Sequence, residues 1–507
     1  MKKLNKKDYR EMFGRSDWTI ETLQHADFII SKIAKEYLHL DTFTNVFEIV
    51  TADQLLDYMS RIGMPTGYDH WSFGKDYMLN NNAYKRGQMG LSYEMVLNTN
   101  PCISYNMEEN TTCLMLLVMA HAAYGHNAFF KNNYLFKMWT SPDTIVDYLV
   151  FAKKYIEECE EKYGYNEVED VLDACHSLQN YGVDKYRHPP KLSVEKELER
   201  RRKMAGDDYK FVNDLWRTLP TKEKEMRVHD DAIKHKFPKQ PQENILYFIE
   251  KNAPYMESWQ REIVRIVRKI GQYFYPQGQT KCSNEGFASY THYKIINKMY
   301  DEGYLPDGFM LEFIEHHTSV LAQPGFSSKY YYGFNPYTLG FNIYSDIERI
   351  CKNPTEEDRE WFPNLIGKDW LTEVHYAMEN FKDESFIMQY LSPKVMRDMR
   401  MISIFDDADE PVWVVNGIHN KNGYKRIRET LANQYQRDRY VPDIQIDNVN
   451  VYGDRTLTLI HTSSDGKSVD DNSAESTCYY VQKLWGCPVE LVHVYPDGDR
   501  ETQVRVE

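Results

Sequence analysis

The sequence predicts a mainly α protein: a large multi-helix body followed by a small C-terminal α+β domain of order ββαββαβ. Two observations carry this. From Trp18 to about Leu391, apolar residues recur at helical spacing in segment after segment. Near Met399 the texture changes to the two-residue alternation of half-buried strands, as in "MISIFDD" and "PVWVVNGI".

The first helix is expected over Trp18–Leu40, where Ile20, Leu23, Ala26, Ile29, Ile30 and Ile33 share a face and Thr19 or Asp17 caps the start. Thr51 and Gln54 then form a capping box for a second helix that Gly63 stops. "GMPTGYDHWSFGKDY" (Gly63–Tyr77) reads as a loop dense in large side chains, which a merely connecting loop does not need. Asn110–Phe130 is helical and apolar nearly all round, so it is expected at the centre of the core. Ser141–Gly164 is amphipathic, with Ser141 as N-cap, Pro142 in the first turn and Gly164 as stop; "NEVEDVLDACHSLQNYG" follows as another helix. Residues 1–188 are thus expected to be an all-helical first part of the body.

Residues 189–242 are charged and proline-flanked, which predicts an excursion with an exposed helix and a mobile loop. The second part of the body, 243–398, resumes with "ENILYFIEKNA" and "ESWQREIVRIVRKIGQYF". Further helices are expected at Asn284–Met299, Gly308–Thr318, Tyr337–Ile350, Trp370–Asn380 and Asp383–Leu391. Residues 399–507 make the α+β domain: two strands, a helix over Gly423–Gln436, a hairpin from "DIQIDNVNVYG" and "RTLTLIHTS", a helix at "SAESTCYYVQKLWG" and a last strand "VELVHVY".

A net charge of −15 repels a phosphate backbone and counts against a nucleic-acid partner. The one dense basic run, Glu195–Lys203, is diluted by acids and reads as a solvated helix face. The longest apolar stretch, Cys113–Ala120, falls short of the roughly 20 residues a membrane span needs. The lysine-rich start lacks an apolar signal core, and the eight cysteines are scattered with no C-x-x-C pair, the usage of a reducing compartment. A cytoplasmic protein is expected. Phosphate-binding, dinucleotide and nucleophile-elbow glycine motifs are all missing from the sequence.

Chemistry concentrates in two segments. "AHAAYGHN" carries His121 and His126, five residues apart. On an α-helix that spacing turns about 500°, roughly 140° past a full turn, so one metal ion is out of reach of both unless the helix ends or bulges. "NEGFASYTHY" carries Glu285 and His292, nearly eclipsed about two turns apart. A carboxylate in an apolar helix needs a cation, a donor or a proton. A metal held by His121, His126, Glu285 and His292 meets that need, and nitrogen and oxygen ligands suit zinc, iron or manganese. An Arg or Lys partner for Glu285, with the histidines as hydrogen-bonded core residues, meets it equally. Glu94 is a further carboxylate among apolar residues and the candidate general base; His70, beside Lys75 in "HWSFGK", is the candidate proton donor. His316 and His317 form a third histidine group.

Long words in this chain resemble the SpoVR family (stage V sporulation protein R): "GMPTGYDHWSFGK", "GLSYEMVLNTNPCISYNMEEN", "AHAAYGHNAFFKNNYLF", "VNDLWRTLP", "NEGFASYTHY" and "NFKDESFIMQYLSP" among them. The resemblance implies a process more than a reaction: spore cortex formation in spore formers, and stress responses beside a PrkA-type serine protein kinase and a YhbH-like protein in other bacteria. "NEGFASY" is also similar to the glutamate segment of gluzincin aminopeptidases, which implies Glu285 as a metal ligand. The chain departs from that pattern at Ala122 and has no glutamate beside His121, so a base must come from elsewhere. Two readings follow: a metal-dependent hydrolase, or a non-enzymatic scaffold that docks the kinase and the adaptor.

Overall fold

The computed structural model describes residues 4–61, 63–86, 94–185, 236–325, 328–401, 404–405, 414–415, 420–436, 441–463 and 466–507. Most of the expected excursion over 189–242, its basic run included, lies outside these residues, as does most of the two strands expected after Met399. The chain divides into two compact units, Met1–Glu157 with Tyr273–Arg439, and Glu158–Gln272 with Tyr440–Glu507.

The first unit is a helical body with a buried helical run, Thr112–Asn132, through its core. By length and composition alone this run is apolar enough to cross a membrane, but its apolar stretch is buried inside the fold and only Lys131 and Asn132 at its end are partly exposed. That explains its all-round apolar pattern: every face meets protein. Helix Lys281–Asp301 packs against this run, against helix Ile20–Glu36 and against helix Pro336–Lys352. Two glycines allow the closest approaches. A Cβ on Gly125 would lie 2.6 Å from the Ala288 Cα, and one on Gly286 would lie 2.3 Å from the Gly340 Cα. Only hydrogen fits there.

The body is not all-helical, contrary to the expectation from its apolar periodicity. Strands β1 (Asn45–Val50), β2 (Glu94–Leu97) and β3 (Cys102–Met107) form a sheet of order β1-β3-β2. β1 runs parallel to β3, and β2 runs antiparallel to it with Glu94 opposite Asn106. β3 is buried along nearly its whole length, so it lacks the alternation by which strands are recognised. The segment read as a loop over Gly63–Tyr77 turns into a helix at Trp71, which runs to Lys85 with no buried residue. Without a buried face it has no apolar stripe to betray it.

In the second unit, β6 (Ile444–Val449), β7 (Leu457–Thr462), β8 (Val489–Val494) and β9 (Arg500–Val506) form a sheet in that order. The short pair β4 (Ile404–Phe405) and β5 (Val414–Val415) precedes them and stands apart, within the first unit. β6–β7 and β8–β9 are antiparallel, whereas β7–β8 are parallel. A parallel neighbour needs a crossover, and helix Asp471–Trp485 supplies it between β7 and β8. Asp470 caps this helix by accepting from the Ser473 N–H, and Gly486 ends it in the left-handed conformation at φ 78°. The C-terminal part of the second unit begins at Tyr440, and β9 adds a strand that the sequence reading does not include. The protein is mainly α with a small α+β part.

Candidate metal centre

The buried run is not a uniform α-helix. It is α-helical over Thr112–Val118, π-helical over Met119–His126 and α-helical again over Asn127–Asn132. A π-helix closes its hydrogen bonds from i to i+5, and such segments recur at functional sites. The wider winding brings residues five apart to one side, the geometric device that the His121–His126 spacing requires. The two rings stand 4.6 Å apart, centroid to centroid, at 87°.

Two carboxylates from other elements meet them. Glu94 at the start of β2 places Oε1 3.7 Å from His121 Nε2. Glu285, on helix Lys281–Asp301, places Oε2 3.3 Å from His126 Nε2 and 3.7 Å from His121 Nε2. Ligand atoms of Glu94, His121 and His126 all lie within 4.8 Å of one another. Ligands at about 2.0–2.2 Å from a tetrahedral ion stand roughly 3.3–3.6 Å apart, so these separations fit one cation with little movement.

The opposite ring nitrogens are held. His126 Nδ1 is 2.9 Å from Asn284 Oδ1, an acceptor only, so Nδ1–H donates and the Nε2 lone pair of the neutral ring is directed at the carboxylates. His121 Nδ1 is 2.9 Å from His292 Nδ1, and His292 Nε2 is 2.8 Å from His317 Nδ1. Partners of this kind fix the rotamer and tautomer of metal-binding histidines. His292 therefore stands one step behind His121, with both nitrogens engaged by other imidazoles. Glu285 Oε2 receives no well-aligned hydrogen bond although it is buried. An orphaned carboxylate oxygen facing two imidazole nitrogens is the donor set that a divalent cation satisfies, and two carboxylates balance its charge.

Electrostatics agree with the geometry. Burial pushes the Glu94 carboxyl above its usual range, against the pull of His121 and His126. Burial also acts on Glu285, but His126 and His121 outweigh it and hold the carboxyl well below that range. His126 is raised in spite of its burial, chiefly by Glu285. Burial drives His292 well below the ordinary imidazole value and His317 to about 4, so both stay neutral.

A cavity of about 530 Å³ opens over this cluster, lined by His121, His126, Glu94, Glu285 and His292 with His316 and Tyr337. The Tyr337 ring lies nearly parallel to that of His121 at 6.5 Å. Its hydroxyl is pushed up by burial and by the two carboxylates, so it remains a donor. His70 is placed elsewhere: it caps helix Trp71–Lys85, with Nδ1 accepting from the Ser72 N–H, and does not line the cavity. Asn284, Tyr337 and the role of His317 were not read from the sequence; Asn284, adjacent to Glu285 in "NEGF", was the one within reach.

The helix that carries Glu285 is anchored from outside. Asp383 accepts from the N–H groups of Cys282 and Ser283 at 2.8 and 2.7 Å, and from the Ser283 hydroxyl at 2.9 Å. Helix N-termini offer such donors, so a carboxylate there pins the turn that aims Glu285.

The fold and this cluster define a mainly helical protein in which Glu94, His121 and His126 form a group that could hold a metal ion, with Glu285 beside the two histidines. The chain belongs to the SpoVR family: the model of SpoVR like protein matches residues 17–440, and that of the SpoVR-like C-terminal domain matches 442–496. It is 51% identical over 495 residues to uncharacterized protein YcgB of Escherichia coli (strain K12), covering 98% of this chain and 96% of that protein. No solved structure matches it.

Proposed function

We propose that this SpoVR-family protein is a cytoplasmic metal-dependent hydrolase acting in sporulation or stress physiology. His121, His126 and Glu285 hold one divalent ion, zinc, iron or manganese, and Glu94 is the general base. The observation that carries this reading is the orphaned Glu285 Oε2, set 3.3 and 3.7 Å from two imidazole nitrogens. Held by these residues, a divalent ion would supply Lewis acidity, polarising a carbonyl and lowering the pKa of a water molecule.

The protein's own residues supply the rest. Glu94, raised by burial, is suited to take a proton from water in the cavity and return it to a leaving group. Asn284 and the His292–His317 pair hold the two ligand rings in orientation. Tyr337 faces the cavity as a hydrogen-bond donor to a developing oxyanion. The discriminating experiment compares Glu94→Gln with His126→Ala in metal content and in turnover of a panel of peptide and ester substrates. Glu94→Gln keeping metal while losing turnover supports the assignment; metal loss in Glu94→Gln makes Glu94 a ligand instead, and full turnover in both sinks the hydrolase.

A second reading is a non-enzymatic scaffold docking a PrkA-type serine protein kinase and a YhbH-like protein. Exposed apolar side chains on helix Asp307–Val320 favour it, with Leu311 73% and Ile314 51% exposed. Pull-down of both partners by the full chain, lost in a Leu311→Glu, Ile314→Glu variant, supports docking there; unchanged capture removes that surface.

A further inference from the structure

Strand β2 borders the metal centre by its edge. Glu94, Met95 and Val96 are consecutive, and consecutive strand side chains point to opposite faces of a sheet. All three nevertheless line the cavity. What β2 turns toward the cavity is therefore its edge rather than one face. It is also an outer strand: among the described residues, β3 is the strand with which it pairs. In an antiparallel pair, about half of an outer strand's N–H and C=O groups point away from the partner and remain open to another chain. On β2 those groups lie beside Glu94, a member of the cluster.

The rest of the wall states which chain fits. No lysine or arginine is among the described lining residues, whereas Glu94 and Glu285 are. Apart from the proposed ion, whose charge Glu94 and Glu285 balance, a phosphate, a nucleotide or an acidic peptide would meet two carboxylates in this wall and no described lysine or arginine. Leu117, Phe130 and Val320 give the wall an apolar part, the setting in which alternate side chains of an extended peptide gain specificity.

We propose that the ligand of this cavity is an extended polypeptide segment, neutral or basic, which adds to β2 as a further strand beside the metal centre. The proposal deepens the hydrolase reading and rests on it for the location of the working site. Backbone pairing with β2 holds the segment against Glu94 and the two histidines in a fixed register, which is the positioning that amide hydrolysis requires.

The test uses the full-length protein and two fluorescein-labelled decapeptide pools, one of neutral and basic residues and one with acids in place of the bases. Each peptide carries a central benzophenone side chain. Saturable anisotropy is expected for the first pool, at least tenfold tighter than for the second, with photo-cross-links mapped to Glu94–Leu97. In the tightest binder recovered, N-methylation at alternate backbone positions is expected to weaken binding at least tenfold, and the positions between them to tolerate it. No saturable binding, cross-links elsewhere, or equal tolerance at neighbouring positions overturns the proposal. Elemental analysis of the same samples separates the two claims. Peptide binding by metal-free protein leaves this inference standing and removes the hydrolase; stoichiometric metal without peptide binding does the converse.

Discussion

Glu285 Oε2 and His126 Nε2 face each other at 3.3 Å, a buried carboxylate oxygen and an imidazole nitrogen with no well-aligned hydrogen bond between them. A buried polar atom left in this state costs about 1–3 kcal/mol, more when charged. The same oxygen is 3.7 Å from His121 Nε2, so a cation at the shared point relieves one carboxylate and two rings together.

Asn284 makes no direct contact with the proposed ion; it orients His126. Asn284→Ala is expected to keep the fold and to weaken metal binding about 10–100-fold, the usual effect of losing such a partner. Competition with a chelator of known affinity measures it. An unchanged affinity would show that the Asn284–His126 bond is incidental.

Metal binding must compete with protons, because imidazole and carboxylate bind metal only when deprotonated. Glu285 holds the His126 pKa above its ordinary value in the metal-free protein, so His126 keeps its proton to higher pH. Apparent affinity is therefore expected to rise with pH through and above the ordinary imidazole range and to collapse in mild acid. A pH-independent affinity over that range would exclude His126 as a ligand.

Gly286 sets how closely the helix carrying Glu285 approaches helix Pro336–Lys352. The substitution Gly286→Ala would put a methyl group 2.3 and 2.4 Å from two backbone atoms of Gly340, which have no rotamer by which to yield. Overpacking of this kind costs about 1–3 kcal/mol, and with backbone on both sides the upper end is expected. Urea unfolding of the purified variant reads the loss. A change within about 0.5 kcal/mol would mean the crossing is looser than the distances state.

Asp383 gives a signature in pH rather than in magnitude. Burial raises its carboxyl to about 6 even though Ser283 and Cys282 donate to it. The folded state thus takes up this proton before the unfolded chain does as pH falls. Its contribution is fully present below the ordinary carboxylate value, near 3.9, and is lost as pH rises through about 6. The stability difference between the wild type and Asp383→Asn is expected to change across that window and to be level above it. A difference that is level throughout would contradict the burial of this group.

The legible parts of the sequence were those with caps and stripes. Trp370–Asn380 is the helix expected, because Asp369 caps it and its apolar spacing is regular. Helix Trp71–Lys85 was hidden by the lack of any buried residue, and β3 by burial that leaves no alternation. Within the site, Glu94, His121, His126 and Glu285 stood out as polar residues in apolar surroundings, and the structure brings all four together. The π-helical winding that joins the histidines was not legible, since alanine and glycine in "AHAAYGHN" serve an α-helix and a π-helix alike. His70 attracted notice through its aromatic neighbours but serves to cap a helix.

A metal ion held by His121, His126 and Glu285 would be carried through purification or taken up on incubation. Elemental analysis by mass spectrometry of the purified protein, beside a His126→Ala, Glu285→Gln double variant confirmed as folded by circular dichroism, tests it most directly. Near-stoichiometric zinc, iron or manganese is expected in the wild type and none in the variant. No metal in the wild type after incubation with each ion, or equal metal in both proteins, would contradict it.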